Sequence, residues 1–243
     1  MEIQNIFEKE LQHEEREKLR FNNIYCLFEQ SGSFKNAFKT MGFNAFDFDI
    51  LNDFNETDFQ IDLFNEIEKA YINQESIFDK FSNDDLIVSF FPCTYFSTQN
   101  DLIFSGKSCS IAKWEEEKRQ NYINERLEKR EFMFDLLCKY VEVCKRKNIK
   151  MIFENPFQGS YLLTRNEIKH PDIIIKDRRI LGDNHIKPTG FWFYNLEPTF
   201  MAQYTKLNNE KTLLHNKIHG SLRSHIHEDF ALNFINKYIL GTN

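Results

Sequence analysis

An α/β domain built on a mostly parallel sheet is the fold class the sequence predicts, and three observations predict it. Short apolar runs at residues 24–28, 45–50, 86–91 and 149–153 recur at strand length. Stretches with helical spacing of apolar residues separate them, the alternation of βαβ units. Two of the runs end at a proline just past polar side chains, at Pro92 and Pro156. Proline fixes its own φ and donates no N–H, so the chain must leave a central strand there. The 243 residues suffice for one such domain and a small appendage.

Composition narrows the class. Hydrophobic content of 41% and charged content of 28% are ordinary for a soluble globular protein. No apolar run approaches the ~20 residues that span a bilayer, and residues 1–20 carry no signal-peptide apolar region. Five cysteines (26, 93, 109, 138 and 144) form neither a CxxC pair nor a disulfide framework, so a reducing, cytoplasmic setting is expected. A net charge of −6 and a pI near 5.7 exclude a global positive field toward nucleic acid, though not a local basic groove. The 26 phenylalanines are spread along the whole chain, which fits coding bias better than a stacking platform.

Residues 2–20 predict a mostly polar helical extension, with Ile3, Ile6, Phe7 and Leu11 on one face. The main α/β core is expected over residues 21–175. Its first strand, 24–28, runs into the loop Glu29-Gln30-Ser31-Gly32-Ser33 and then a helix from Phe34 to Met41, ended by Gly42. A strand, a small-residue turn and a helix N-terminus bring backbone N–H groups toward a ligand; an ordinary turn has the same look. The second strand ends in acids. An acid about 20 residues after such a turn suits a ribose diol, which makes Asp49 the candidate and Asp47 its reserve. Residues 59–62 form a short third strand whose Asp62 reaches toward a purine. A helix is expected from Leu63 to Asp79.

The run 86–91 reads as a buried parallel strand followed directly by Pro92 and Cys93. That puts the Cys93 thiol at the carboxyl end of a strand, where open α/β sheets bind ligands. A structural cysteine is the common alternative; the strand–Pro–Cys–polar context favours a nucleophile. Residues 98–110 are expected to be a polar loop. Residues 111–148 follow as a long charged stretch whose second half carries an apolar face of Phe132, Leu136, Leu137, Tyr140, Val141, Val143 and Cys144. The strand 149–153 then leads into Glu154-Asn155-Pro156. Glu154 lies at the same sheet edge as Cys93, and two polar strand tips in one sheet make a site.

Residues 176–193 mix basic and aromatic side chains, including Arg178, Arg179 and Lys187, suited to phosphates and a base or simply to a basic loop. His215, His219, His225 and His227 have no cysteine or carboxylate at ligand spacing, so no metal is expected. Residues 228–240 predict an amphipathic helix.

Taken together these stations resemble the cytosine-5 DNA methyltransferase family, especially its small phage and prophage members. Leu27-Phe28-Glu29-Gln30-Ser31-Gly32-Ser33-Phe34 looks like that family's S-adenosylmethionine loop. Pro92-Cys93-Thr94-Tyr95-Phe96-Ser97 looks like its Pro-Cys motif, and Glu154-Asn155-Pro156 like its Glu-Asn motif. Gly220-Ser221-Leu222-Arg223-Ser224 with Phe230-Ala231 is similar to its closing motif, whose helix packs back near the cofactor loop.

The resemblance implies a Rossmann-like, S-adenosylmethionine-dependent methyltransferase fold and methyl transfer to carbon 5 of cytosine in DNA. It makes Cys93, Glu154 and Asn155 catalytic. It assigns Phe28, Gly32, Ser33 and Pro92 to the cofactor, beside the Asp49 and Asp62 already read from their strand ends, and Ser97 to the substrate, with Arg178 and Arg179 or Lys187 as the basic residues of that side. Gln30 and Ser33 stand where the family usually has glycine, and no clear Gln-x-Arg-x-Arg motif is present. Fewer than ~30 residues separate Trp192 from Gly220, too few for an independent recognition domain. Residues 176–243 are therefore expected to hold a reduced recognition segment and a helix packing back on the core. The same chemistry on single-stranded nucleic acid or a pyrimidine nucleotide is the alternative substrate reading. A non-catalytic DNA- or protein-binding module is the alternative class.

Overall fold

A computed structural model of the chain describes residues 21–157, 169–200 and 226–241. The helix expected over residues 2–20, three of the four histidines (215, 219, 225) and the Gly220–Ser224 part of the closing motif lie outside these.

Among the described residues, seven strands form one sheet in the order β3-β2-β1-β4-β5-β7-β6. They are β1 (Ile24–Leu27), β2 (Ala45–Asp49), β3 (Phe59–Gln60), β4 (Leu86–Ser89), β5 (Lys150–Pro156), β6 (Ile173–Ile175) and β7 (Thr189–Tyr194). The first five are parallel, and β7 runs antiparallel to both β5 and β6. The helices are α1 (Ser33–Thr40), α2 (Leu63–Tyr71), α3 (Thr98–Phe104), α4 (Glu116–Arg146) and α5 (Glu228–Phe234), the last continuing as a wider π-type turn over Ile235–Leu240. The protein is thus α/β, with a mostly parallel sheet flanked by helices and compatible with a Rossmann-like fold.

Alternation along the strands sends apolar residues to both faces, so each face has its own core. On one, Leu27, Ile87 and Phe153 pack against Ile67 of α2 and Leu136, Tyr140 and Val143 of α4. On the other, Cys26, Val88 and Phe191 meet Phe34 and Phe38 of α1 and Phe230 and Phe234 of α5. Phe191 stacks on Phe234 with ring centroids 4.0 Å apart. Many of the abundant phenylalanines fill these two layers. The Ser33 hydroxyl donates to the Ile226 carbonyl at 2.7 Å, fastening the start of α1 to the segment that leads into α5.

The strand order turns around between β1 and β4: β2 and β3 lie to one side, β5 to the other. At such a switch point the loops leaving two adjacent strands diverge and open a crevice at the carboxyl edge. The positions of Glu29 and Cys93 follow from that topology.

Several elements differ from the sequence-based expectation. Residues 98–104 form α3 where a loop was expected; extended Ser97 starts it and left-handed Gly106 follows its end. Helix α2 stops at Tyr71, because Asn73 turns left-handed (φ 59°), and Ile77–Asp79 is a separate 3-10 turn capped by Ser76 and Asp79. Phe132 is 51% exposed and lies outside the α4 core face. The strands β6 and β7 were not expected. Since β7 pairs with β5 and β6, the boundary drawn at residue 175 falls inside a continuous sheet.

Candidate active-site cleft

A cleft of about 380 Å³ opens at the carboxyl ends of β1 to β5, within the size range of small-molecule sites. Each wall is a strand tip.

At the tip of β1, Phe28 adopts φ 59°, a left-handed conformation that a bulky side chain rarely takes. The other non-glycine residues with positive φ among those described are asparagines, so Phe28 is the strained exception, and it lines the cleft. Such strain gathers at ligand sites. Its N–H still donates to Phe48 O at 2.8 Å, while its ring meets Phe91 and Phe64 at 5.5 and 5.9 Å.

Next comes Glu29, 4% exposed. Its carboxylate accepts the Phe34 and Lys35 N–H groups at 2.8 and 3.1 Å, so it caps α1 from inside the cleft wall. Gln30 accepts the Asp53 N–H at 3.2 Å, tying this loop to the connection after β2. Gly32 needs its φ of 68°, and a Cβ there would come within 2.9 Å of Glu56 Oε2. Gly32 and Ser33 were assigned to the cofactor on resemblance. In the structure they are turn and fastening residues, and neither lines the cleft.

Asp49 lines the cleft at the tip of β2; its carboxylate accepts the Leu51 N–H at 2.8 Å, and burial holds its pKa above the ordinary aspartate value. Its reserve, Asp47, is fully buried instead, 2.9 Å from Lys35 Nζ and accepting the Asp58 N–H at 2.6 Å. A charge so deep and so paired is a structural element, not a ribose partner. Asp62 also lines the cleft while capping α2 through the Phe64 and Asn65 N–H groups.

Pro92, Cys93 and Thr94 form the wall after β4. The end of β5 faces them: Glu154 lines the cleft at 6% exposure, and its Oε1 has no hydrogen-bond partner among the described residues. An unpartnered buried carboxylate oxygen is costly and points to a ligand group that completes it. Asn155 is fully buried, and its Nδ2 donates to Phe91 O at 2.9 Å. It therefore holds the chain just before Pro92-Cys93 and is a positioning residue. Lys187, before β7, completes this end.

The substrate residues assigned on resemblance fare differently. Arg178 is 1% exposed, ion-paired with Asp183 and seated over the Phe230 ring at 4.8 Å, so it is a core residue unavailable to a substrate. Arg179 is paired with Asp177 at 2.7 Å. Ser97 does not line the cleft; its hydroxyl accepts from Asn100 Nδ2 at 3.0 Å. The neighbour that faces the cleft is Thr94. His227 caps α5, its Nδ1 accepting the Asp229 N–H at 3.2 Å.

Burial pushes the Cys93 thiol above its ordinary pKa; Lys187 pulls it down and Glu154 pushes it up. Cys93 is therefore expected to react with iodoacetamide with a pH midpoint above that of a free thiol. Lys187→Met is expected to move the midpoint further up, and Glu154→Gln to move it down. The pH profile of Cys93 alkylation, read by peptide mass, checks all three.

Sequence reasoning passed over Glu29 as an ordinary loop acid. Burial, with a smaller push from Asp47, raises its pKa from 4.5 to about 7 against the pull of the two N–H bonds. The neutral form favours the fold, so this contribution to stability is fully present below pH ~4.5 and is lost as pH rises through about 7. The expected loss is on the order of 3 kcal/mol. Urea unfolding of wild type and Glu29→Gln between pH 4 and 8 checks this: the variant lacks this part of the pH dependence.

No protein-family model matches the chain, and no curated protein matches it. Among the described residues no helix is long and apolar enough to cross a membrane, and no group of three or more His, Cys, Asp or Glu could hold a metal ion.

Proposed function

We propose that this protein transfers a methyl group from S-adenosylmethionine to carbon 5 of cytosine in DNA, through a covalent bond from Cys93 to carbon 6. The observation that carries the reading is the meeting of Cys93 and Glu154 in one cleft, from the tips of β4 and β5, with Asp49 and Asp62 on the opposite wall. The resemblance assigns the first pair to the reacting base, and the position of the second at strand ends suits the cofactor's adenosine. The switch-point position of the cleft supports a nucleoside-type ligand. Ile50, Leu51 and Phe64 supply apolar surface beside the two acids for a purine face.

When bound, S-adenosylmethionine supplies a methyl group on a positively charged sulfur. The protein's task is to make carbon 5 nucleophilic, which cytosine alone is not. Cys93 gives up its proton to solvent and adds as thiolate to carbon 6, leaving electron density on carbon 5. Glu154 holds ring nitrogen 3 and shares a proton with it, so charge does not build on the ring during addition. Lys187 favours the thiolate that Glu154 opposes. After methylation water takes the carbon-5 proton, the electron pair of that bond reforms the carbon 5–carbon 6 double bond, the Cys93 sulfur departs as thiolate, and the nitrogen-3 proton returns to Glu154. A base in duplex DNA must be flipped out to reach this cleft.

A second reading, the same chemistry on single-stranded nucleic acid or a pyrimidine nucleotide, rests on one observation. The chain leaves β7 at Tyr194 and begins α5 at Glu228, an interval below the ~40 residues a separately folding unit needs. Incubation with methyl-labelled S-adenosylmethionine and duplex, single-stranded or free-nucleotide cytosine tests both. Label on carbon 5 is expected and the preferred substrate separates the readings; no label on any substrate, from folded protein, contradicts both and favours a binding module.

A further inference from the structure

We infer that Glu29 determines which ligands the cleft accepts: by filling the anion position at the start of α1 it selects an adenosine ligand carrying a cationic group and turns away one carrying phosphates. This rests on the cofactor reading above and extends it to a residue that the resemblance assigned no role.

In a Rossmann-like sheet the helix after the first strand points its free N–H groups into the crevice, and a ligand phosphate ordinarily takes them. Here the Phe34 and Lys35 N–H groups are already taken by the Glu29 carboxylate at 2.8 and 3.1 Å. A phosphate approaching this end meets a buried carboxylate instead of two donors. Gln30, where a glycine would let a ligand reach the backbone, is committed to the Asp53 N–H.

A second observation points the same way. Among the described residues, the ionisable side chains that line the cleft are the carboxylates Glu29, Asp49, Asp62 and Glu154, the thiol Cys93 and a single lysine, Lys187. Four carboxylates around a ligand favour a cation, and one lysine at the far, Cys93 end does not offset them for a di- or triphosphate. A sulfonium or ammonium group beside Glu29 also favours the ionised carboxylate that burial otherwise disfavours. S-adenosylmethionine carries both of these cations against one carboxylate and so is net cationic; 5′-methylthioadenosine has the same nucleoside with none of the three, and ATP has phosphates in their place.

Calorimetry with these three ligands, on wild type and Glu29→Gln, tests the inference. Wild type is expected to bind S-adenosylmethionine about 10-fold or more tighter than methylthioadenosine, and ATP weakest of all. In Glu29→Gln, with folding checked by circular dichroism, the preference for the cationic ligand is expected to shrink about 10-fold and the discrimination against ATP to relax. Should the variant not fold, the wild-type order of the three ligands decides. Wild type that binds ATP as tightly as S-adenosylmethionine, or a folded variant with unchanged preferences, overturns the role of Glu29 and leaves the cofactor reading standing. Wild type that binds no adenosine ligand contradicts both.

Discussion

Cys93→Ala is expected to abolish methyl transfer, by about 10⁴-fold or more, while leaving the fold in place. Without a sulfur to add at carbon 6, carbon 5 has no electron density to offer, and no other thiol lines the cleft. Cys26 and Cys144 are fully buried in the cores, and Cys109 and Cys138 are exposed elsewhere. The side chain at 93 lies in a half-buried loop, so the change in stability is expected to stay within about 1 kcal/mol. Single-turnover transfer rates, beside thermal melts of the same preparations, check both halves. Cys93→Ser is expected to fail nearly as completely, because a hydroxyl near neutral pH is far less ionised than a thiol.

The second large effect is expected at Glu154. Glu154→Gln keeps the shape and can still contact ring nitrogen 3, but it cannot carry a proton to it. The rate of transfer is expected to fall about 10²- to 10⁴-fold, with substrate affinity changed far less. The unpartnered Oε1 explains why such a variant should remain folded: no hydrogen bond among the described residues depends on that atom. Asn155, one position on, is the opposite case. Its amide holds Phe91 O inside a fully buried setting, so its removal strands a buried acceptor and shifts the Cys93 loop. Rate and stability are expected to fall together in Asn155→Ala, and only rate in Glu154→Gln. Parallel kinetics and denaturant unfolding separate a positioning residue from one that meets the base.

The parallel half of the sheet was legible in the sequence because its strands are short apolar runs broken by Pro92 and Pro156. Periodicity alone cannot do this for β7. Its six residues are buried throughout, and a fully buried strand has no polar alternation to mark it. Three-residue β6 is too short to carry a pattern. The lining of the cleft was legible where a polar residue ends an apolar strand run, as with Cys93, Glu154 and Asp49. It was illegible where a role depends on a partner distant in sequence. Arg178 reads as a surface cation until Asp183 and Phe230 close around it. Asp47 reads as a strand-end acid until Lys35 reaches it from α1. Glu29 left one usable signal, an acid at a helix entry, and its burial could not be read from the loop's composition.

On this chemistry Cys93 bonds to carbon 6 of a cytosine whose carbon 5 receives the methyl group. Replacing cytosine with 5-fluorocytosine tests it directly, because a fluorine on carbon 5 cannot leave as a proton does and the last step is blocked. Wild type incubated with S-adenosylmethionine and a 5-fluorocytosine oligonucleotide, duplex or single-stranded, is expected to gain the mass of one methylated strand. Peptide mapping should place the bond on Cys93. Folded protein that forms no adduct with either strand form, or forms it at another residue, contradicts the account.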